Sequence, residues 1–210
     1  MHPGTFILLR AERLSFGYLP APAPLLFNEL SLALAPGVTF LCGDESTGKT
    51  TLLQLLAGVL LPASGELRIQ GVILAQNPQD YRRHVAWLDP RDTALDEKTA
   101  RQIFAAALPA CKPDALRAHI DGLSLEGHLD KTLTMMSTGT RRKVLLAAVL
   151  GAEAPLTLLD QPFKALDRPS IDYLLALFAQ ASRQAARAWV VADYEPPPGI
   201  GLAGVIELGI

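Results

Sequence analysis

Eight consecutive residues, Gly43-Asp44-Glu45-Ser46-Thr47-Gly48-Lys49-Thr50, and the Thr51 that follows carry the clearest chemical signal in the chain. Gly43 and Gly48 bracket a stretch short enough for its backbone N–H groups to turn inward together, a cradle for phosphate oxygens. Lys49 brings a point positive charge for a β- and γ-phosphate pair, and Thr50 offers a hydroxyl to Mg²⁺. The chemistry is binding of a nucleotide through residues 43–51, with Asp44, Glu45, Ser46, Thr47 and Thr51 all part of the wrap. A second residue fits the same task. Asp160 ends the apolar run 156–159, and a cation on Thr50 needs a carboxylate from a neighbouring strand tip, linked to it through water or through the groups that hold it. Alone, Asp160 reads as a cap or turn residue; beside the Lys49 loop, the metal role is favoured.

The elements around these residues must hold them. Residues 38–42 are wholly apolar but for Thr39, which predicts a buried strand entering the loop, and Leu52-Leu53-Gln54-Leu55-Leu56 leaves it with helical character, its free N–H groups and positive dipole end facing the anion. Upstream, residues 5–9, 13–16 and 30–34 alternate enough to suggest strands, with an exposed loop of Pro20, Pro22 and Pro24 between, and Pro36-Gly37 marks a turn. Downstream, 66–69 and the apolar run 84–88 read as strands. Helical spacing follows at 98–108, 114–120 and 123–129, broken by Pro109 and Pro113, then a strong helix over 138–150 with Val144, Leu145, Ala148 and Val149 on one apolar face. Residues 156–159, 189–192 and 204–208 read as strands and 171–178 as a helix. Alternating strands and helices around such a loop predict an α/β fold: a P-loop NTPase core with a parallel sheet, an N-terminal antiparallel β portion and a small inserted helical subdomain. The expected organisation is one domain over 1–210, its core at 1–89 and 151–210 and its helical part at about 90–150.

Composition sets limits. The 210 residues are 19% charged with a formal net charge of −2, so no basic field points to nucleic acid. Cys42 and Cys111 share no metal or redox spacing and read as reduced structural thiols. The longest apolar stretches, 144–152 and 154–159, fall far short of the roughly 18 residues a membrane span needs, and no signal-peptide core is evident. Any membrane component must come from another chain.

Leu156-Thr157-Leu158-Leu159-Asp160-Gln161-Pro162, followed by Ala165-Leu166-Asp167, resembles the Walker B and D-loop segments of ABC transporter ATP-binding subunits. The rest of the chain follows the same order. Tyr18 falls where that family stacks an aromatic on adenine, Met136-Ser137-Thr138-Gly139-Thr140 where it carries its signature, and residues 90–135 where it has a helical subdomain. The resemblance implies that two subunits sandwich Mg-ATP, each phosphate loop facing Ser137 and Gly139 of the other. It implies an ATP-dependent homodimer, or a heterodimer with a sister subunit, held to the cytoplasmic face of a membrane by a separate transmembrane subunit. Taken alone, Ser137 reads as a helix N-cap, and Arg141 and Arg142 equally as a solvated face.

The departures concern hydrolysis. The family's catalytic glutamate falls at Gln161, whose amide can hold a water but cannot take its proton. Its switch histidine falls at Tyr194, its Q-loop glutamine at Pro90, and the signature lacks its third glycine and final glutamine. Gln161 has two readings, natural divergence or deliberate replacement of a glutamate to trap the ATP-bound form, and the loss of several of these residues together favours the first. The expectation is an ABC-type ATPase of reduced activity, with Lys49, Gln161 and Tyr194 in the catalytic positions. A regulatory module that binds ATP and barely hydrolyses it is the alternative; an unrelated P-loop enzyme leaves Tyr18 and the signature-like segment unexplained. The compact length is similar to the smallest exporter-type subunits, including those of haem-export systems.

Overall fold

The structure, a computed structural model, describes residues 6–18, 24–107, 113–183 and 186–209. Thr5, Pro20, Pro22, Pro109 and Cys111 lie outside the described residues. The apolar runs form a parallel sheet in the order β6 (Val85–Ala86), β7 (Leu156–Asp160), β8 (Ala188–Asp193), β3 (Gly37–Cys42) and β9 (Gly204–Glu207). An antiparallel sheet pairs β2 (Phe27–Leu34), β1 (Leu9–Phe16), β4 (Ser64–Ile69) and β5 (Val72–Ile73). The helices are α1 (Lys49–Leu56), α2 (Pro78–Arg83), α3 (Ala100–Ala107), α4 (Pro113–Gly122), α5 (Thr138–Gly151) and α6 (Arg168–Ala181).

Strand periodicity divides the interior in two. Val38 and Phe40 of β3, Leu159 of β7, and Trp189 and Val191 of β8 face a core shared with α5 and α6. Their neighbours Leu41, Leu156, Leu158, Val190 and Ala192 face the opposite way, onto α1. That helix lies between the two sheets, which is why Leu52, Leu53, Leu55 and Leu56 are all fully buried with Leu9, Leu14 and Ile69 of the antiparallel sheet. Truncating any one of these leucines to alanine costs about 2–5 kcal/mol, so the helix behind the phosphate loop is held firmly.

Several elements differ from their sequence reading. Residues 5–9 and 13–16 were expected as two strands. The described part is one strand, β1, with an irregular register near Arg13, whose φ is +48°. The apolar run 84–88 yields only the two-residue β6, paired to β7, because Leu88 onward departs along the loop at Asp89. Residues 123–129 hold a single 3₁₀ turn at Glu126–His128 rather than an α-helix. Helix α2 has no apolar period to announce it; it rests on the Asn77 cap, whose side chain accepts from Asp80 N, and on Pro78 at its start. Helix α5 is buried on every side from Val144 to Gly151, not on one face, since α3, α4 and β7 all pack on it.

Candidate functional site

Parallel strands bring their C-terminal tips to one edge, and here the register makes that edge chemical. Cys42 of β3 pairs with Asp193 of β8, and Asp160 of β7 pairs with Ala192 of β8. The residues that follow are therefore neighbours: Gly43 after β3, Tyr194 after β8 and Gln161 after β7. Gln161 N also donates to Ala192 O at 2.8 Å, which fixes the turn in which Gln161 adopts a φ of +46°.

Gly48 closes the phosphate loop at a φ of +95°, and a Cβ there would stand 3.0 Å from the Phe27 ring, so both backbone and space call for glycine. Lys49 is almost fully buried. Its Nζ donates to the carbonyls of Gly43 and, at 2.6 Å, Asp44. Thr47 Oγ1 donates to Asp44 O at 3.0 Å, and Thr50 Oγ1 donates to Asp160 Oδ2 at 2.7 Å. A hydroxyl and a carboxylate touching beside the lysine are hard oxygen donors of the kind that suit Mg²⁺.

A cleft of about 700 Å³ is lined by Tyr18, Glu45, Ser46, Gly48, Lys49, Thr50, Thr51, Asp160 and Gln161, together with Leu25, Leu26, Pro90, Arg91, Arg142 and Lys164. Its size suits a nucleotide. The Tyr18 ring is half-exposed at its margin, edge-on to Phe16, and its hydroxyl is 2.8 Å from Thr51 Oγ1. Tyr194 reaches the loop differently: its hydroxyl donates to Glu45 Oε1 at 2.8 Å and Lys49 Nζ lies 5.2 Å from its ring centre. The Glu45 carboxylate raises the Tyr194 phenol above its ordinary pKa, and burial raises Asp193 beside it.

Ser137 and Gly139 are not among the residues lining this cleft. Ser137 caps α5, its Oγ accepting from Thr140 N at 3.1 Å. Gly139 lies against the D-loop-like turn, where a Cβ would come within 2.5 Å of Ala165 O.

The two arginines after the signature-like segment are not a solvated face. Arg141 donates to Pro90 O and Asp92 O, each at 2.5 Å, and pairs with Asp96 at 2.8 Å. Arg142 is half-buried and donates to Asp160 O at 3.1 Å and Gln161 O at 2.5 Å, and its burial lowers the guanidinium pKa. Sequence reasoning left Arg142 and Lys164 out of the site; Lys164 Nζ lies 3.5 Å from Gln161 Oε1. An arginine five positions after a helix cap carries no spacing rule that would have singled it out. On either side of Pro90, where the glutamine is missing, Asp89 accepts from Gln54 of α1 at 3.2 Å and in turn holds Arg91.

The family model described as "ABC transporter" matches residues 27–164. The cytochrome c biogenesis ATP-binding export protein CcmA of Pseudomonas fluorescens (strain Pf0-1) is 32% identical over 155 residues, 71% of this chain and 73% of its own length. Its counterpart in Dechloromonas aromatica (strain RCB) is 31% identical over 190 residues, 88% and 93% of the two chains. Among solved structures, an ATP-binding subunit of an ABC transporter superposes with a TM-score of 0.77 at 24% identity, covering 88% of this chain and 79% of that one. A dimeric ATP-binding cassette bound to ADP and Pi in a post-hydrolysis state gives 0.72 at 18% identity, covering 90% and 88%. At these identities the two structures speak for the fold: a P-loop NTPase core with one parallel and one antiparallel sheet.

Proposed function

The chain belongs to the ABC transporter family as an ATP-binding subunit, and from that premise we propose that it dimerises around Mg-ATP to drive a separate membrane-embedded subunit, with slow hydrolysis. The observation that carries this reading is the Thr50–Asp160 contact of 2.7 Å beside a buried Lys49, while Ser137 and Gly139 lie off the cleft. A triphosphate seated on residues 43–51 is then met by one chain's lysine and by the capped helix start of a second chain, whether another copy or a sister subunit. Tyr18 stacks on the adenine. Mg²⁺, when bound, is held by Thr50 and, directly or through water, by Asp160, and it neutralises charge on the phosphate oxygens.

Slow turnover follows from the two residues at the strand tips. The Gln161 amide orients a water but leaves its proton without an acceptor. The Tyr194 phenol, which donates to Glu45, is a donor rather than a base. The relatives named as export proteins support export as the direction of transport, and among the described residues no helix is long and apolar enough to cross a membrane. A membrane partner and a peripheral, cytoplasmic position are the corresponding arrangement. Sedimentation of the purified chain tests the association step: Mg-ATP is expected to shift it from monomer to dimer and Mg-ADP to leave it monomeric. A mass unchanged by saturating Mg-ATP, with sister subunits absent and present, would contradict the reading.

A further inference from the structure

A carboxylate in a phosphate cradle has the wrong charge for the cradle's task, and this loop holds one in place. Glu45 lines the cleft with Lys49 and Thr50, and its Oε1 accepts the 2.8 Å hydrogen bond from Tyr194. Tyr194 arrives there because Asp193 is in register with Cys42, so the phenol rises beside the first residues of the loop. The same ring faces Lys49 Nζ at 5.2 Å, within the range of a cation–π contact, while that ammonium donates to the carbonyls of Gly43 and Asp44. Glu45 and Lys49 both line the cleft, and Tyr194, which does not line it, touches each of them. Lys49 is the charge that draws the β- and γ-phosphates, and the tethered carboxylate lines the same cleft.

We propose that Glu45, held by the Tyr194 hydroxyl, sets the selectivity of the site by phosphate number: it opposes the terminal phosphate of a nucleoside triphosphate and is indifferent to a diphosphate, and the Tyr194–Glu45 bond opens when a triphosphate enters. This rests on the nucleotide site described above. Glu45 is exposed, so water and salt limit the repulsion without removing it. Calorimetric titration of the full chain with Mg-ATP and Mg-ADP, repeated for Glu45→Gln and Tyr194→Phe, reads the effect. Glu45→Gln is expected to tighten ATP about tenfold and ADP by less than about twofold, with the gain shrinking as salt is raised. Tyr194→Phe frees the carboxylate to swing away and is expected to tighten ATP about threefold, the scale of one hydrogen bond that no longer has to break. Equal shifts for ATP and ADP, or weaker ATP binding by Glu45→Gln, overturn the selectivity role while leaving the nucleotide site intact. A parent chain that binds neither nucleotide overturns the site and this role with it.

Discussion

The start of α1 and the start of α5 are both helix N-termini with free N–H groups, yet they are equipped differently. At α1 the chain supplies its own setting: a glycine-closed loop, a buried lysine turned onto loop carbonyls, and a threonine on the Asp160 carboxylate. At α5 it supplies only a cap, with Ser137 exposed and bonded to Thr140, and Gly139 backed against Ala165 O. One end is finished within a single chain; the other is a capped helix start that does not line the cleft. Arg142 ties the two together. It leaves the second turn of α5 and holds the carbonyls of Asp160 and Gln161, so a displacement of the signature-like end is passed to those two residues of the same chain.

The contrast is broken most severely at the finished end. Lys49→Ala removes the charge from phosphate oxygens that then meet only neutral donors, and ATP affinity by calorimetry is expected to fall about 100-fold or more, as loss of charge-assisted hydrogen bonds implies. Unchanged affinity would mean that the loop is not the phosphate seat. At the other end, Gly139→Ala forces a Cβ against the Ala165 carbonyl. It is expected to weaken Mg-ATP-driven association about tenfold while leaving ADP binding within about twofold, overpacking of this kind costing about 1–3 kcal/mol. Equal losses in both would erase the distinction between the ends. Tyr18→Ala is expected to weaken ATP and ADP alike, by about 1–3 kcal/mol of base stacking; loss confined to ATP would remove Tyr18 from the base.

The smallest effect concerns the turn that backs Gly139. Asp167 caps α6 through Ser170 N at 3.1 Å and pairs with Lys143 of α5 at 2.7 Å, and the Lys143 ammonium holds its carboxyl down at about 2. A carboxyl depressed on folding stabilises the native state above its ordinary pKa near 3.8, and that contribution is lost as pH falls through that value toward about 2. Asp167→Ala is expected to cost about 1 kcal/mol in denaturant unfolding at neutral pH and Asp167→Asn less, since the amide still caps. The Asp167→Ala deficit should shrink below pH 4; a deficit independent of pH would leave the Lys143 pair without a role.

Where residue type alone fixes local geometry, the sequence could be read directly. The runs 38–42, 156–159 and 189–192 were readable because a parallel strand buried on both faces is apolar throughout, and the glycine spacing around Lys49 because few other residues make that turn. Helix α2 was hidden, since its cap and proline act without a hydrophobic period. The full burial of α5 depends on how α3 and α4 pack, which no local pattern encodes. Within the site, Lys49, Thr50 and Asp160 could be placed by chemistry. Arg142 and the Tyr194–Glu45 bond depend on strand register across residues 149 positions apart in the latter case, and only the folded sheet brings them together.

Hydrolysis by the purified chain tests the central claim most directly. Steady-state phosphate release is measured for the parent, for Gln161→Glu, and for Gln161→Glu combined with Tyr194→His. Restoring a general base is expected to raise turnover by about 10²–10⁴ at most, with a further rise in the double variant and a shorter-lived ATP-bound dimer at each step. A parent that already releases phosphate at several turnovers per second, or a Gln161→Glu variant no faster than the parent, would place the base elsewhere and contradict the roles assigned to Gln161 and Tyr194.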